Sequence, residues 1–398
     1  MHPTEEIRGI KSKRLFNKRI ILAVTGSIAA VETIKLAREL IRHGADVYPV
    51  MSPSATKIIH PDSLWFATGK KPVIELTGAT EHVSFCGKVK KPVDLLLICP
   101  CTANTISKIA RGIDDTSVTT FATTAIGSAV PILIVPAMHI SMYDHKILGK
   151  NIEKCKKMGI KFIEPLIEKN IAKMAEINEI VSNVIREIGK KDLVKKKILV
   201  IGGPAAEKID DVRIITNRSS GKTAVGLAKN AFFRGADVEL WYGTGIELVP
   251  NYIKKIDFES ISDVEKILEK TNIKTFDAII VCAALSDYIP KKYKGKIRST
   301  KEKFVLEMFP APKIISKLRK KAPRSKIIGF KLEENKAALK EKSMDLLKKN
   351  NLDFVVANLI FGFNVGDNEI WVFDKKGKSF HKKGKKEELA DYILDLIK

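Results

Sequence analysis

The chain has 398 residues, 45% of them hydrophobic and 29% charged, which is typical of a soluble globular protein with two or three domains. Its net charge is +24, but lysines and glutamates alternate along nearly every segment and only 7% of residues are aromatic. This argues against a nucleic-acid partner, because such proteins usually gather basic residues on one face among stacking aromatics. A basic nucleic-acid-binding protein with two α/β domains stays open on the net charge alone.

The N-terminal segment carries charges up to Arg19, and no stretch reaches the ~20 apolar residues that cross a membrane. We therefore expect neither a signal peptide nor a membrane partner, and a cytoplasmic location. The five cysteines show no C-x-x-C pair and no zinc spacing. They are expected to be reduced, buried thiols.

Residues 19–52 have the pattern of a βαβ unit. An apolar run from Ile20 to Val24 ends at a glycine turn, a helical pattern continues to about His43, and a second apolar run follows. Residues 93–100 and 131–137 are apolar on both faces, which predicts buried parallel strands.

The charged stretch 189–197 marks a domain boundary, because a new first strand follows it. Residues 196–244 repeat the strand, helix and strand of the first unit. Buried strands are predicted at 276–284, 326–331 and 353–358, with a helix at 334–350. The predicted fold class is α/β, with two tandem Rossmann-like parallel-sheet domains at residues 1–190 and 191–398.

Small and polar residues follow three predicted strands of the first domain. Such residues at the carboxyl ends of parallel strands suit a bound cofactor. The predicted cofactor-binding residues are Gly26, Ser27, Ser52, Pro100, Thr102, Ala103 and Asn104.

The second domain contains TNRSSGKT at 216–223, which resembles a phosphate-binding P-loop except that Thr216 stands at the first glycine position. In a P-loop that glycine follows its strand directly, whereas here the strand Ile198 to Ile201 ends well before this stretch. We expect Ser219, Ser220 and Gly221 to cap a helix whose free N–H groups meet an anion.

The motifs GSIAA, MSPSA, CPCTANTISKIARGIDD and PAMHISMY resemble the flavin-dependent cysteine decarboxylase family. The resemblance implies a flavodoxin-like domain that binds FMN and decarboxylates 4′-phosphopantothenoylcysteine, with His82 as a loop base. His139 stands where the family has a substrate-binding asparagine. The family's flap carries a proton-donating cysteine, but residues 164–176 contain none, and Cys155 is a poor substitute.

The motifs TNRSSGK, CAALSDY and KIR resemble the phosphopantothenate–cysteine ligase that is fused to this decarboxylase in bacteria and archaea. The resemblance implies that a carboxylate of 4′-phosphopantothenate attacks CTP, and that cysteine then displaces CMP from the acyl-cytidylate. Asn217 would handle this intermediate and Lys296 would lie near the phosphates. The implied nucleotide contacts are Val281, Cys282, Ala283, Asp287, Lys296, Pro312, Lys313, Ile314, Ile315 and Phe330.

Some features stay open. A further lysine contact could come from Lys342, Lys348 or Lys349, and Mg²⁺ (or Mn²⁺) is expected on the triphosphate, with unknown protein ligands. The resemblance also implies a homo-oligomer, with a trimer-based flavin domain, a dimeric ligase domain and possibly a dodecamer. The alternative function is a working ligase fused to a flavin domain whose activity is lost or altered.

Overall fold

The computed structural model of the chain describes residues 2–298, 303–359 and 367–398. The chain divides into two compact units, residues 1–190 and 191–398, here called the N-terminal and C-terminal units. No helix in the described ranges combines the length and the hydrophobicity that crossing a lipid bilayer requires.

The N-terminal unit has a parallel sheet between helices. Its strands are β1 (Arg19–Val24), β2 (Asp46–Met51), β3 (Leu95–Cys101), β4 (Ile132–Pro136), β5 (Met138–His139), β6 (Lys161–Phe162), β7 (Leu166–Glu168) and β8 (Ile171–Lys173). Its helices are α1 (Pro3–Ile7), α2 (Thr33–Arg42), α3 (Pro61–Thr68), α4 (Glu81–Cys86), α5 (Ala103–Arg111), α6 (Ser117–Gly127), α7 (Ile140–Tyr143), α8 (Lys146–Lys157) and α9 (Ile177–Ile188).

The main sheet of this unit has the order β2-β1-β3-β4-β6, and every neighbouring pair is parallel. Counted along the sheet's own strands, this is the 2-1-3-4-5 order of flavodoxin-like folds. All seven residues of β3 are buried, because helices cover both faces of the sheet. The predicted fold class is confirmed for this unit.

The C-terminal unit also has a sheet between helices. Its strands are β9 (Lys197–Gly202), β10 (Ala206–Lys208), β11 (Ile214–Thr216), β12 (Asp237–Tyr242), β13 (Lys254–Asp257), β14 (Ala278–Val281), β15 (Tyr288–Pro290), β16 (Met308–Pro310), β17 (Lys326–Glu333), β18 (Phe354–Leu359), β19 (Asp367–Asp374) and β20 (Ser379–Lys385). Its helices are α10 (Lys222–Phe233), α11 (Ile261–Lys270), α12 (Ile314–Lys321), α13 (Lys336–Lys349) and α14 (Lys386–Asp395).

The sheet of this unit has the order β13-β12-β9-β14-β17-β18-β19-β20. Its first six strands are parallel and follow the 3-2-1-4-5-6 order of the Rossmann fold, which confirms the predicted class. The last two strands pair antiparallel, and the sequence pattern did not predict them. Two apolar clusters, one on each face of the sheet, form the core.

Candidate active sites

Three loops meet at the carboxyl edge of the N-terminal sheet. The Thr25 hydroxyl donates to the carbonyl of Pro100 at 2.8 Å and accepts from the amide of Thr102 at 3.1 Å, which joins the loops after β1 and β3. A Cβ atom on Gly26 would lie 2.5 Å from Cβ of Ser54, so glycine allows the loop after β2 to approach this closely. The three loops meet where the strand order reverses, the usual ligand-binding edge of such a sheet.

The loop after β3 leads directly into α5. Thr102 is the N-cap of this helix, and its hydroxyl oxygen accepts from the amide of Thr105 at 3.3 Å. Ala103 and Asn104 form the first turn, and Asn104 is exposed. The amide groups of this turn therefore lie beside the meeting point of the loops, where an anionic or polar group can accept from them.

Two predicted serines have partners in these loops. Ser52 is buried, and its hydroxyl oxygen accepts from the amide of Ala55 at 3.3 Å. Ser27 is half-buried, and its hydroxyl donates to the carbonyl of Ala137, at the end of β4, at 3.3 Å. The serine after β2 therefore stabilises its own turn, whereas Ser27 connects the loop after β1 to a fourth strand end.

His139 pairs with residues of the segment 164–176, which corresponds in sequence to the family's flap. That segment folds as the hairpin β7–β8, and His139 pairs with Ile171 across an antiparallel ladder. The imidazole Nδ1 accepts from the amide of Ser141 at 3.2 Å. This bond leaves Nε2 protonated in the neutral ring, so the exposed His139 can donate a hydrogen bond through Nε2.

The residue after the hairpin contacts the main sheet through a pair of sulfur atoms. The hairpin itself contains no cysteine. The Sγ atom of Cys99 lies 3.4 Å from the Sδ atom of Met174, just after the hairpin. Burial raises the pKa of the Cys99 thiol well above its usual range, so this thiol is a weak acid. Cys155 is also buried, on α8.

His82 lies in the short helix α4, so the expectation of a loop histidine is wrong. Thr80 begins this helix with φ of 48°, and no side chain caps it. The Nδ1 atom of His82 is buried and has no hydrogen-bond partner among the described residues. Among the described residues, no hydrogen bond joins His82 to the loops after β1, β2 and β3.

In the C-terminal unit, TNRSSGKT is not a P-loop. The hairpin β10–β11 separates β9 from α10, and Gly221 is the N-cap of α10 with φ of 81°. A Cβ atom on Gly221 would lie 2.2 Å from Oη of Tyr242, which itself lies within hydrogen-bond distance of the Ser220 and Glu247 carbonyls. The Ser220 hydroxyl oxygen accepts from the amide of Lys222 at 3.5 Å, and the N-cap residue Gly221 has no side chain to bind the next amides, which are available to a ligand.

Asn217 connects this stretch to the end of β14. Its Nδ2 atom donates to the carbonyl of Ala284 at 2.7 Å, and its Oδ1 atom accepts from the amide of Ser219 at 3.0 Å. Ala284 follows Cys282 and Ala283, two of the predicted nucleotide contacts. β14 neighbours β9, and the strand order reverses between them. Asn217 therefore lies at the switch point of its own sheet.

A cleft of about 210 Å³ lies along this edge of the sheet. It runs from the start of α10 across β17 to β19 and α14, and its lining includes Lys222, Lys386 and Lys331, which pairs with Glu333 at 3.1 Å. Its lining includes Gly203, Ser219, Ser220, Gly221, Thr223, Cys282, Ala283, Ala284, Phe330, Asn358 and Asn368. Lysines and a helix N-terminus in one cleft suit an anionic ligand.

The remaining predicted nucleotide contacts form a second group beside β14. Lys313 Nζ donates to the Asp287 carboxylate at 2.5 Å, and the amide of Ala311 donates to the Asp287 carbonyl at 2.9 Å. Pro312 lies between these residues. Val281 and Ile314 are buried in the core, and Ile315 packs against Gly329, next to Phe330.

None of the predicted lysines is among the described residues that line the cleft. Lys296 is exposed, and it is absent from the described residues that line the cleft. Lys342 pairs with Glu333 at 2.8 Å, and Lys349 pairs with Asp345 at 2.8 Å. The structure therefore does not choose among Lys342, Lys348 and Lys349.

Comparisons with known proteins agree along the whole chain. Residues 8–189 match the Flavoprotein family, and residues 193–398 match the C-terminal domain of the DNA/pantothenate metabolism flavoprotein family. The coenzyme A biosynthesis bifunctional protein of Thermococcus kodakarensis is 45% identical over 405 residues, which cover 100% of this chain and 99% of the relative. The chain belongs to the family of coenzyme A biosynthesis bifunctional proteins.

Another member of the family, from Methanocaldococcus jannaschii, is 39% identical over 100% of this chain and 98% of its own length. Similar solved structures align with about half of this chain. The C-terminal domain of a coenzyme A biosynthesis bifunctional protein is 29% identical, with a TM-score of 0.45, over 52% of this chain and 96% of that domain. A DNA/pantothenate metabolism flavoprotein from Streptococcus pneumoniae is 25% identical, with a TM-score of 0.47, over 51% of this chain and 98% of its own.

In this family member, the sequence patterns missed several residues of the C-terminal unit that hold its loops or line the cleft. Tyr242 fixes the turn before α10, and Asp210 accepts from the amide of Ile297 at 3.0 Å. Asn368 lines the cleft from β19, and its Oδ1 atom is buried without a hydrogen-bond partner among the described residues. No local pattern indicates these residues, because each depends on contacts between distant segments.

Proposed function

We propose that this chain catalyses two consecutive reactions of coenzyme A biosynthesis. The C-terminal unit, residues 191–398, ligates 4′-phosphopantothenate to cysteine with CTP. The N-terminal unit, residues 1–190, decarboxylates the product, 4′-phosphopantothenoylcysteine, to 4′-phosphopantetheine with FMN. The observation that carries the proposal is the 45% identity over the full length of a bifunctional relative. The two switch-point sites, one in each unit, support it.

The N-terminal site fits a flavin. Glycine at position 26 keeps two loops in close contact, and the first turn of α5 offers amide donors. We assign Gly26, Ser27, Ser52, Pro100, Thr102, Ala103 and Asn104 to flavin binding. FMN held by these residues would supply reversible electron transfer, so that the decarboxylation has no net redox change.

Two histidines then have separate tasks in the decarboxylation. We assign His82 as the base that removes a proton from the substrate, because the resemblance to the decarboxylase family gives this position that role and an imidazole nitrogen can accept a proton. We assign His139 to the substrate carboxylate, which its Nε2–H can bind in place of the family's asparagine. His139 lies in β5, which pairs with β8 of the hairpin, so the hairpin holds the backbone of His139.

In the C-terminal unit, the ligation has two steps. A carboxylate oxygen of 4′-phosphopantothenate attacks the α-phosphorus of CTP and pyrophosphate leaves. The amine of cysteine then attacks the acyl carbon, loses a proton, and CMP leaves. The first amides of α10 and the lysines of the cleft can neutralise phosphate charge, and Asn217, beside them, can hold the acyl-cytidylate.

The other nucleotide contacts are assigned in the same proposal, from Val281 to Ala283, Asp287, Lys296, Pro312 to Ile315 and Phe330. Mg²⁺ (or Mn²⁺) would supply positive charge that neutralises the triphosphate of CTP. The described residues contain no cluster of three or more His, Cys, Asp or Glu side chains placed to hold a metal ion. The protein would function as a homo-oligomer, with a trimer-based flavin unit and a dimeric ligase unit.

A second candidate function is a ligase whose flavin unit has a changed activity. The hairpin supports this alternative, because residues 164–176 contain no cysteine to protonate the decarboxylated intermediate. The two candidates share the ligase reaction and a bound flavin, and they differ in the fate of 4′-phosphopantothenoylcysteine.

One incubation tests both candidates. The purified protein is mixed with 4′-phosphopantothenate, cysteine, CTP and Mg²⁺, and all products are identified by mass. The first proposal predicts pyrophosphate, CMP, carbon dioxide and 4′-phosphopantetheine. Accumulation of intact 4′-phosphopantothenoylcysteine would favour the second candidate. Absence of pyrophosphate would contradict both.

A further inference from the structure

Asp210 lies in the connection between β10 and β11, and its side chain is 0% exposed. Its carboxylate oxygens accept four hydrogen bonds. Oδ1 accepts from the amides of Val212 at 2.8 Å and Arg213 at 2.6 Å. Oδ2 accepts from Arg213 Nη1 at 2.5 Å and from the amide of Ile297 at 3.0 Å. One oxygen therefore holds a local turn, and the other reaches a segment far along the chain.

That distant segment, residues 291–298, lies against the connection at three points. The amide of Tyr293 donates to the carbonyl of Ile209 at 2.8 Å. Arg213 Nη1 also donates to the carbonyl of Ile297 at 3.2 Å, so Asp210 and Arg213 together bind both polar backbone groups of Ile297. The amide of Ile297 is also the largest cause of the low pKa of Asp210, which keeps this carboxylate ionised.

Lys296 directly precedes Ile297, whose backbone N–H and C=O groups are both hydrogen-bonded. Its side chain is exposed, so the polar contacts fix its backbone rather than its ammonium group. A lysine side chain is a long, flexible arm with a point charge at its end, so its reach depends on where the backbone starts. Fixing that start lowers the entropy lost when the ammonium group binds a phosphate.

We propose that Asp210 is a positioning residue for Lys296 in the ligase reaction. Together with Arg213, it fixes the backbone at Ile297 and so the point from which Lys296 reaches the triphosphate. The inference rests on the proposed function, because the role of Lys296 comes from there. Asp210 lies outside the lining of the cleft and acts on the reaction through the position of Lys296.

The test begins with Asp210→Asn. Each carboxylate oxygen accepts from two donors, so the amide group of asparagine would face two donors in either orientation. One set of bonds must break, and we expect the kcat for pyrophosphate release to fall about 10- to 100-fold because Lys296 loses its position. The matched control is Asp353→Asn, because Asp353 also binds a backbone amide and an arginine but lies at the start of β18. It should leave kcat within about twofold.

A double-mutant cycle separates positioning from general stability. If Asp210 acts through Lys296, the variant carrying both Asp210→Asn and Lys296→Ala should have the kcat of Lys296→Ala alone, within about twofold. Independent, multiplying losses would overturn the proposal. Asp210→Ser provides a second variant, since a serine hydroxyl can hold the local turn but is too short to reach Ile297. An Asp210→Ser enzyme with wild-type kcat would also overturn it.

Trypsin supplies a readout that needs no ligase activity. Residues 291–298 include Lys294, Lys296 and Arg298, and cleavage after them should be several-fold faster in Asp210→Asn than in the wild type or in Asp353→Asn. Equal cleavage rates would show that Asp210 does not hold the segment. A wild-type protein that releases no pyrophosphate would contradict the proposed function instead, while the cleavage rates would still decide whether the segment is held.

Discussion

At the edge of the N-terminal sheet, the loops contact one another closely and several side chains already have partners. Gly26 contacts Ser54, and Thr25 binds the backbone on both sides of the β3 end. At the corresponding edge of the C-terminal sheet, a cleft of about 210 Å³ is open, and α10 begins there without a side-chain cap. The two units therefore place a site at the same point of related sheets but form it from different contacts.

The difference matches the two proposed chemistries. A tightly bound flavin needs a fixed surface of backbone donors and close loops, because the cofactor itself performs the electron transfer. A ligase must admit three substrates and neutralise a triphosphate, which favours an open cleft with lysines and free amides. The same strand-order reversal can thus support a rigid cofactor site in one unit and an exchanging substrate site in the other.

The largest expected effect is a loss of decarboxylation, from a change in the N-terminal site alone. His82→Asn should lower decarboxylation by about 10²- to 10⁴-fold, because the base is lost, and leave flavin bound. Carbon dioxide release and flavin absorbance of the purified variant measure the two effects. His60→Asn is the control, because His60 is an exposed histidine at the start of another helix. Wild-type turnover in His82→Asn would remove His82 as the base.

The next largest effect is a loss of ligation, from a change in the C-terminal site alone. Asn217→Ala removes the amide that connects the α10 start to β14, and we expect ligation to fall about 10²- to 10³-fold. The acyl-cytidylate should accumulate or fail to form, as detected by mass. Decarboxylation of added 4′-phosphopantothenoylcysteine is the internal control and should be unchanged. Unchanged ligation kinetics would refute this role for Asn217.

A smaller effect tests the close contact of the N-terminal loops. Gly26→Val adds atoms where a single Cβ would already lie 2.5 Å from Ser54, and such overpacking costs about 1–3 kcal/mol. Flavin affinity should fall roughly 10- to 100-fold, as measured by titrating the apoprotein with FMN. Gly149→Val is the control, because nothing lies within 4 Å of a Cβ atom at that position. Equal affinities in both variants would show that the loop contact does not shape the flavin site.

The smallest effect concerns His139. His139→Asn restores the residue type of the family and keeps a hydrogen-bond donor, so decarboxylation should change by less than about tenfold. His139→Ala removes the donor and should cost more. Measuring kcat and KM for carbon dioxide release in both variants tests this order. An alanine variant as active as the asparagine variant would mean that no hydrogen bond from this position is used.

The sequence predicted the sheets and the loops that follow their strands, because both depend on local patterns. Continuous apolar runs indicated β3 and β14, and small polar residues after β3 indicated the edge where Thr102 lies, whereas Cys282 was named only by the family resemblance. β20 was missed because its residues, SFHKKGK, are almost all exposed and lack apolar alternation. His82 was expected in a loop because the resemblance implied one, and α4 is too short and uncapped for the local sequence to indicate a helix there.

Long-range contacts account for what the sequence could not predict at the candidate sites. The bond from the Ile297 amide to Asp210 spans 87 positions of the chain, and the Tyr242 hydroxyl reaches back 22 positions to Ser220. No local spacing records such pairs. Residues on one strand end were therefore predictable, whereas residues that hold one segment against another needed the fold.

The central claim is that each unit carries its own active site at its own strand-order reversal. One paired measurement on Gly26→Val and Asn217→Ala tests it most directly. Each variant is incubated with 4′-phosphopantothenate, cysteine, CTP and Mg²⁺, and with FMN at a concentration that saturates the wild type but not Gly26→Val. The products are identified by mass. The account predicts that Gly26→Val accumulates 4′-phosphopantothenoylcysteine, whereas Asn217→Ala makes none but decarboxylates it when it is supplied. Loss of both reactions in either folded variant would contradict two separate sites.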